Sequence, residues 1–246
     1  MRVAILGGSG IDNFPGLEVK KHHDVMTTWG KPSTVIVAGV LNKVEVLFLP
    51  RHGPEHSIPP HRINYRANLS ALVELGADAV LATTAVGGIE PESGPGTIVI
   101  PHQLIDYTYG RAHTYFDNCH GPTNHIDFTE PYSSELRKGL ISAAEAVSVR
   151  ARNTGTYGAT QGPRLETAAE IRRLAYDGCT IVGMTGMPEA ALARELRVDY
   201  ANISLVVNRA AGCGQDSISM ADIEQELMRG MDKIRTIIST ATTLVT

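Results

Sequence analysis

The residues best suited to chemistry in this 246-residue chain stand where apolar runs stop. Arg51 and His52 follow the run at 44–49 and offer donors of the kind an oxyanion or phosphate takes. Ser9 sits in Gly7-Gly8-Ser9-Gly10, directly after residues 3–6, where a strand followed by a glycine turn can present backbone N–H groups to an anion. Thr84 and Ala85 close the run that begins at Ala79, and Met184 and Thr185 close the one that begins at Thr180. Backbone amides, hydroxyls and one guanidinium from four strand ends would compose a phosphate cradle. The P-loop Lys-Ser/Thr is missing, and counting from Gly8 the third glycine of a dinucleotide fingerprint is Asn13. The cradle therefore suits free phosphate, which as a reactant means phosphorolysis. Taken alone, Gly-Gly-Ser-Gly reads equally well as a tight turn.

Two further polar residues would read a planar base beside such a cradle. Asn208 ends the apolar run 203–207, and ligands of open α/β sheets bind beyond the carboxyl ends of strands. Glu166 lies at a strand-to-helix junction. Each has a plain alternative: an Asn that starts a turn, and a first-turn carboxylate favoured by the helix dipole. His125 stands out in the aperiodic stretch 106–132, since a long irregular segment in a compact domain is more often functional than idle; a surface-loop histidine is the alternative. His52, His56 and His61 could suggest a metal, but the Gly and Pro residues between them break any common helical face and no thiolate cluster supports them. No metal site is expected.

The elements that must position these groups follow from periodicity. Strands are expected at 3–6, 35–40, 44–49, 79–84, 97–104, 155–160, 180–184 and 203–207. Helices are expected at 65–75, 133–147, from 167 to about 176, 188–196 and 220–238. The last carries Ile223, Leu227, Met231, Ile234 and Ile238 on one face, a core stripe. Strands alternating with helices indicate a single α/β domain over 1–246, without repeats or linkers.

Bulk properties narrow the partners. Hydrophobic content of 43% and charged content of 20% describe an ordinary globular protein. A net charge of −4 gives no general attraction to phosphodiester backbones, so nucleic acid is not an expected partner. Residues 1–6 run straight into a strand without a leader pattern, and no apolar run reaches membrane-span length. Cys119, Cys179 and Cys213 are widely spaced and odd in number, which fits a reducing cytoplasm better than a disulfide framework.

Taken in order, Gly7-Gly8-Ser9-Gly10, Arg51-His52-Gly53, Thr83-Thr84-Ala85, Gln161-Gly162-Pro163-Arg164, Gly183-Met184-Thr185 and Met187-Pro188-Glu189 resemble the trimeric purine nucleoside phosphorylase and methylthioadenosine phosphorylase family over nearly the whole chain. The resemblance implies an α/β domain built on a mixed, partly barrel-like central sheet flanked by helices. It implies a homotrimer with sites near subunit boundaries, and phosphorolysis of a purine nucleoside with inorganic phosphate as co-substrate and no cofactor. By resemblance Ser9, Arg51, His52, Thr84, Ala85 and Thr185 would bind phosphate, Met184 would lie against the ribose, and Asn208, Arg209 and Ala210 would face the base.

Where the chain departs from one branch of that family, it indicates the substrate. The adenine-reading branch has acidic residues at positions 208 and 210 and a small residue at 166; the 6-oxopurine branch has Asn and Glu at 208 and 166. An Asn amide can donate to O6 while accepting from N7 as that atom gains a proton, and an ionised Glu can accept from N1–H of a 6-oxopurine. Asn208 and Glu166 are therefore expected to be the catalytic and base-reading pair. Leu165 stands where these families often place an aromatic residue. Met220 aligns with an apolar lining position for a 5′-methylthio group, which Ile223 and His125 could join. The expectation is a 6-oxopurine-selective phosphorylase preferring a 5′-methylthio nucleoside. Alternatives are an inosine/guanosine phosphorylase, a methylthioadenosine phosphorylase, a hydrolytic nucleosidase and a non-catalytic nucleoside-binding module.

Overall fold

The computed structural model describes residues 1–11, 13–117, 125–214 and 218–245; Cys119 lies outside the described residues. In chain order the elements are β1 (Val3–Gly7), β2 (Glu18–His23), β3 (Ile36–Leu41), β4 (Val44–Pro50), α1 (Tyr65–Glu74), β5 (Ala79–Gly88), β6 (Ile98–Val99), β7 (Gln103–Asp106), α2 (Ser134–Ala146), β8 (Ala151–Arg152), β9 (Thr156–Ala159), α3 (Ala168–Tyr176), β10 (Ile181–Gly183), α4 (Gly186–Glu195), β11 (Asp199–Arg209) and α5 (Met220–Leu244). They form one mixed sheet in the order β2-β3-β4-β1-β5-β10-β9-β7, from which β11 branches to pair with β5 and β6, and β6 pairs with β8.

The sheet is covered on both faces, as the apolar runs require. Successive residues of β1 divide between two cores: Ala4 and Leu6 pack with Leu49, Leu69, Leu72 and Leu192, while Val3 and Ile5 pack with Phe48, Leu81, Ile203 and Ile234. Helices α1 and α4 pack together, and α5 lies against β11 and α2. The α5 stripe is core as expected, with Met231, Ile234 and Ile238 buried.

Helix starts follow their capping residues. The Asn64 side chain accepts from the Ala67 N–H at 3.1 Å. Before α3, Thr167 and Glu170 form a reciprocal capping box. That box places Glu166 outside the helix, so Glu170, not Glu166, is the first-turn carboxylate.

Three expectations need correction. The stretch 97–104 is two strands rather than one, because it breaks between Val99 and Gln103 at Pro101, which has no N–H to give a ladder. β2 carries no periodic signal in the sequence, because Glu18-Val-Lys-Lys-His-His is an almost wholly exposed edge with no buried face to impose alternation. β5 and β11 run well beyond their apolar centres, to Gly88 and Arg209.

Candidate active site

β5 is the strand on which the site is assembled. Along one edge it pairs with β11 for nearly its whole length. Its other edge is shared: β1 runs parallel to it over Ala79–Ala82, and β10 runs antiparallel to it at Gly87 and Gly88. Between these two pairings, residues 83–86 face neither strand, and the carboxyl ends of β1 and β10 point at each other across the opening. A cavity of about 460 Å³ occupies this break. Its walls include Ser9, Arg51, His52, Thr84, Ala85, Thr185 and Met184, together with Glu166, Asn208, Ala210 and Met220 from the later strand ends and α5.

The cradle end is deeply buried. Arg51 is fully buried and forms a two-point ion pair with Glu189, Nε to Oε2 at 2.6 Å and Nη2 to Oε1 at 2.7 Å. Its Nη1 donates to the Thr83 carbonyl at 2.9 Å, which leaves one Nη1 N–H for the cavity. Burial works against the charged guanidinium, and Glu189 outweighs it, so the Arg51 pKa is raised and the group stays cationic. The Tyr200 hydroxyl also donates to Glu189, at 2.8 Å. Gly8 must be glycine: a Cβ there would stand 2.4 Å from the Thr83 carbonyl oxygen and 3.0 Å from Arg51 Nη1.

His52 presents a neutral ring. Burial foremost, then the Arg51 charge, lowers its pKa to about 3, against the opposing pull of the Ile58 carbonyl. Its Nδ1 lies 2.9 Å from that carbonyl oxygen, which can only accept, so Nδ1 carries the proton. The ring stacks on His56 with centroids 4.0 Å apart. The Thr84 hydroxyl sits in a buried polar group with Ser204 at 2.8 Å and Asn202 at 3.1 Å. Among the described residues no group of three or more His, Cys, Asp or Glu side chains is gathered to hold a metal ion.

The other end of the cavity is half-buried. Register with β5 slips between Val206 and Asn208, a bulge that aims Asn208 at the opening. Its Nδ2 donates to the Arg209 carbonyl at 2.7 Å, leaving one N–H and Oδ1 for a ligand. Glu166 Oε1 accepts from the Thr160 hydroxyl at 2.6 Å, leaving Oε2 for a ligand. Met184 crosses beneath the loop before α3, where Gly162 (φ +62°) makes room: a Cβ on it would stand 2.4 Å from the Met184 sulfur. Ile218, Met220 and Ile223 form an apolar wall at the entrance to α5.

Two expected site residues are not brought to this cavity. The Arg209 side chain, one residue on from Asn208 and so on the opposite side of the strand, donates to the carbonyls of Glu90 and Pro91. His125 is exposed and is not part of the wall in the single chain. Conversely, no sequence motif gives a role to Glu189, which pairs with Arg51, or to Arg111, whose buried guanidinium donates to the carbonyls of Met184 and Met187. A buried Arg51 demands a carboxylate, which is the signal that could have found Glu189 within its Met-Pro-Glu motif. No sequence signal marks Arg111.

Comparison with known proteins supplies the wider setting. The family described as the phosphorylase superfamily matches residues 2–243. A protein of Pseudomonas syringae pv. tomato named probable S-methyl-5′-thioinosine phosphorylase is 52% identical over 232 residues, 94% of each chain. The 6-oxopurine nucleoside phosphorylase of Pyrococcus furiosus is 45% identical, over 99% of this chain and 93% of its own. In three dimensions the chain is similar to methylthioadenosine phosphorylase from Schistosoma mansoni in complex with adenine, with TM-score 0.96 and 31% identity, over 100% of this chain and 92% of that one.

Proposed function

The chain belongs to the phosphorylase superfamily, and we propose that it cleaves the glycosidic bond of S-methyl-5′-thioinosine with inorganic phosphate, giving hypoxanthine and 5-methylthioribose 1-phosphate. The observation that carries this reading is the joint presence of Asn208, Glu166 and the apolar wall of Ile218, Met220 and Ile223 around one cavity whose far end is the Arg51 cradle. The relatives named for thioinosine and 6-oxopurine phosphorolysis agree with it.

In the proposed reaction, phosphate is held by Arg51, His52, Thr84, Thr185 and the amides around Ser9 and Ala85. The bond between the anomeric carbon and N9 breaks with its electron pair staying on the purine. A phosphate oxygen forms the new bond to the anomeric carbon, and its negative charge stabilises the cationic sugar on the way. Asn208 Oδ1 accepts from N7 as that atom takes a proton from solvent water, and its remaining N–H donates to O6. Glu166 Oε2 accepts from N1–H. An adenine at the same place would set N1, a bare acceptor, against a carboxylate, and an unmatched buried polar group costs about 1–3 kcal/mol. A thioether is matched by the wall at Met220, whereas a 5′-hydroxyl would lack a partner there. No covalent enzyme intermediate, metal or organic cofactor has a part in this scheme.

The test is phosphate-dependent release of base from methylthioinosine, methylthioadenosine and inosine. Methylthioinosine should be turned over fastest, and release should stop without phosphate. Faster turnover of methylthioadenosine would overturn the base assignment, and equal release without phosphate would indicate a nucleosidase.

We read the working assembly as a homotrimer in the cytoplasm. Leu165 and Met220 leave apolar surface exposed at the cavity wall, which a neighbouring copy could cover. His125 would reach a site only across such a boundary. Cys179 and Cys213 are unpaired thiols, and among the described residues no helix is long and apolar enough to cross a membrane. Light scattering should give three times the 26.4 kDa chain mass; a monomer would refute the trimer.

A further inference from the structure

We propose that Arg111 is the positioning residue that holds the two nucleoside-contacting loops of the cavity in register, and through them the selectivity for the base. The inference rests on the base-reading role given to Glu166 above.

Arg111 comes from the irregular stretch after β7, yet its side chain is buried. Its guanidinium bridges two chain segments. On one side Nη2 donates to the carbonyls of Gln161 at 2.7 Å and Thr160 at 3.2 Å, and Nε to the Gln161 side chain at 3.1 Å. On the other, Nη1 donates to the carbonyls of Met187 at 2.6 Å and Met184 at 2.8 Å. Nη1 also lies 3.2 Å from the Tyr65 hydroxyl, which in turn donates to the carbonyl of Pro60 on the cavity wall.

These contacts fall where the sheet stops. β9 and β10 pair in parallel up to Ala159 and Gly183, and the Thr160 N–H still donates to the Gly183 carbonyl at 2.8 Å; the strand register ends there. One chain leads through Thr160 to Glu166, and the other through Met184 and Thr185 into α4. The planar fork of the guanidinium bridges the two chains beyond that point. From Thr160 the connection continues through its hydroxyl to Glu166 Oε1. A route of hydrogen bonds thus runs from Arg111 to the carboxylate that would read N1–H, and a second to the methionine beside the ribose.

Its electrostatic setting argues for a role beyond packing. Among the described residues Arg111 has no carboxylate partner, unlike Arg51; its charge is met by carbonyl, amide and hydroxyl dipoles alone. Burying a cation without a counter-charge is costly for stability, and an apolar residue could fill the space. What an apolar residue could not do is fix the four carbonyls relative to one another.

The experiment is steady-state kinetics on the wild type, Arg111→Lys, Thr160→Val and, as a check on the base reading, Glu166→Gln. Arg111→Lys keeps the charge but not the fork. It should raise the KM for methylthioinosine by about tenfold or more and lower kcat/KM up to about 100-fold, the scale of a 1 Å misplacement. The phosphate KM should rise several-fold less than the nucleoside KM, because Thr185 is the only proposed phosphate ligand on a segment that Arg111 holds. Both Arg111→Lys and Thr160→Val should lower the preference for methylthioinosine over methylthioadenosine by about tenfold. Equal losses on both nucleosides, or nucleoside and phosphate KM rising equally, would mean a structural role only and would overturn the proposal. If Arg111→Lys does not fold, Thr160→Val decides, and an unchanged preference overturns the inference. Should Glu166→Gln alone leave the preference intact, the base reading is what fails, and Arg111 is then judged by the nucleoside-against-phosphate KM split.

Discussion

The cradle and the base-reading end of the cavity are built from different kinds of structure. At the cradle, Arg51, Glu189 and Thr84 are each 2% exposed or less and tie the end of β4 to β5 and α4, and β5 to β11, through buried bonds. At the other end, Asn208 and Glu166 are half-buried, sit on a bulge and on a loop, and each is held by a single neighbouring bond. Leu165 and Met220 beside them are 41% and 63% exposed. The difference separates what the chemistry must keep from what it can change. A phosphate reactant needs the same donors whatever the base, so those donors can belong to the core. Under the proposed function, selectivity would reside in side chains whose replacement disturbs little else.

The strongest way to break this contrast is to cut the Arg51–Glu189 pair. Glu189→Gln leaves a buried cation unmatched and should cost about 3–5 kcal/mol of stability, read as a lowered urea midpoint. A loss under about 1 kcal/mol would mean that the cradle is no more integral to the core than the base end.

His52 provides a pH test of the same end. Its folded pKa of about 3 lies below the value of 6.5 in an unfolded chain. Its contribution is therefore fully present above pH 6.5 and is lost progressively as pH falls from 6.5 toward 3, by on the order of a few kcal/mol. Urea midpoints measured across that range without phosphate should fall less steeply for His52→Asn. Parallel curves would show that the ring is not held neutral.

Effects at the base end should appear in selectivity rather than stability. Asn208→Asp with Glu166→Ser should shift the ratio of kcat/KM toward methylthioadenosine by about 10- to 100-fold, with the urea midpoint nearly unchanged. An unmoved ratio would mean that the base is read elsewhere. The smallest effect belongs to Met220→Ser, which should reduce the preference for methylthioinosine over inosine by less than about tenfold, because Met220 is already partly solvated.

The same contrast governs how much was legible in the sequence. Buried strands and their polar ends are written locally: residues 3–6 followed by glycines, 44–49 by Arg51-His52, and 203–207 by Asn208. Those patterns point to Ser9, Arg51, His52 and Asn208, which line one cavity. The Met-Pro-Glu motif does not disclose the role of Glu189, because its partner Arg51 is 138 residues away and only the fold brings them together. Arg111 left no trace, since backbone carbonyls are anonymous in a sequence. The family motif groups Arg209 with Asn208 and Ala210, but the alternation of a strand sends its side chain the other way. The helix starting after Thr167 was foreseen, and its capping box explains why Glu166 stays free of the helix.

The break along β5 has a further consequence. Residues 83–86 form a stretch of sheet edge that no strand completes, and in most proteins such an edge invites pairing with a foreign chain. Here the edge faces the cavity instead. Arg51 already takes the Thr83 carbonyl, and under the proposed function phosphate and ribose would stand against the rest of this edge. The amides of this edge should exchange with solvent faster in the free protein than those of the fully paired β1, and phosphate should slow them.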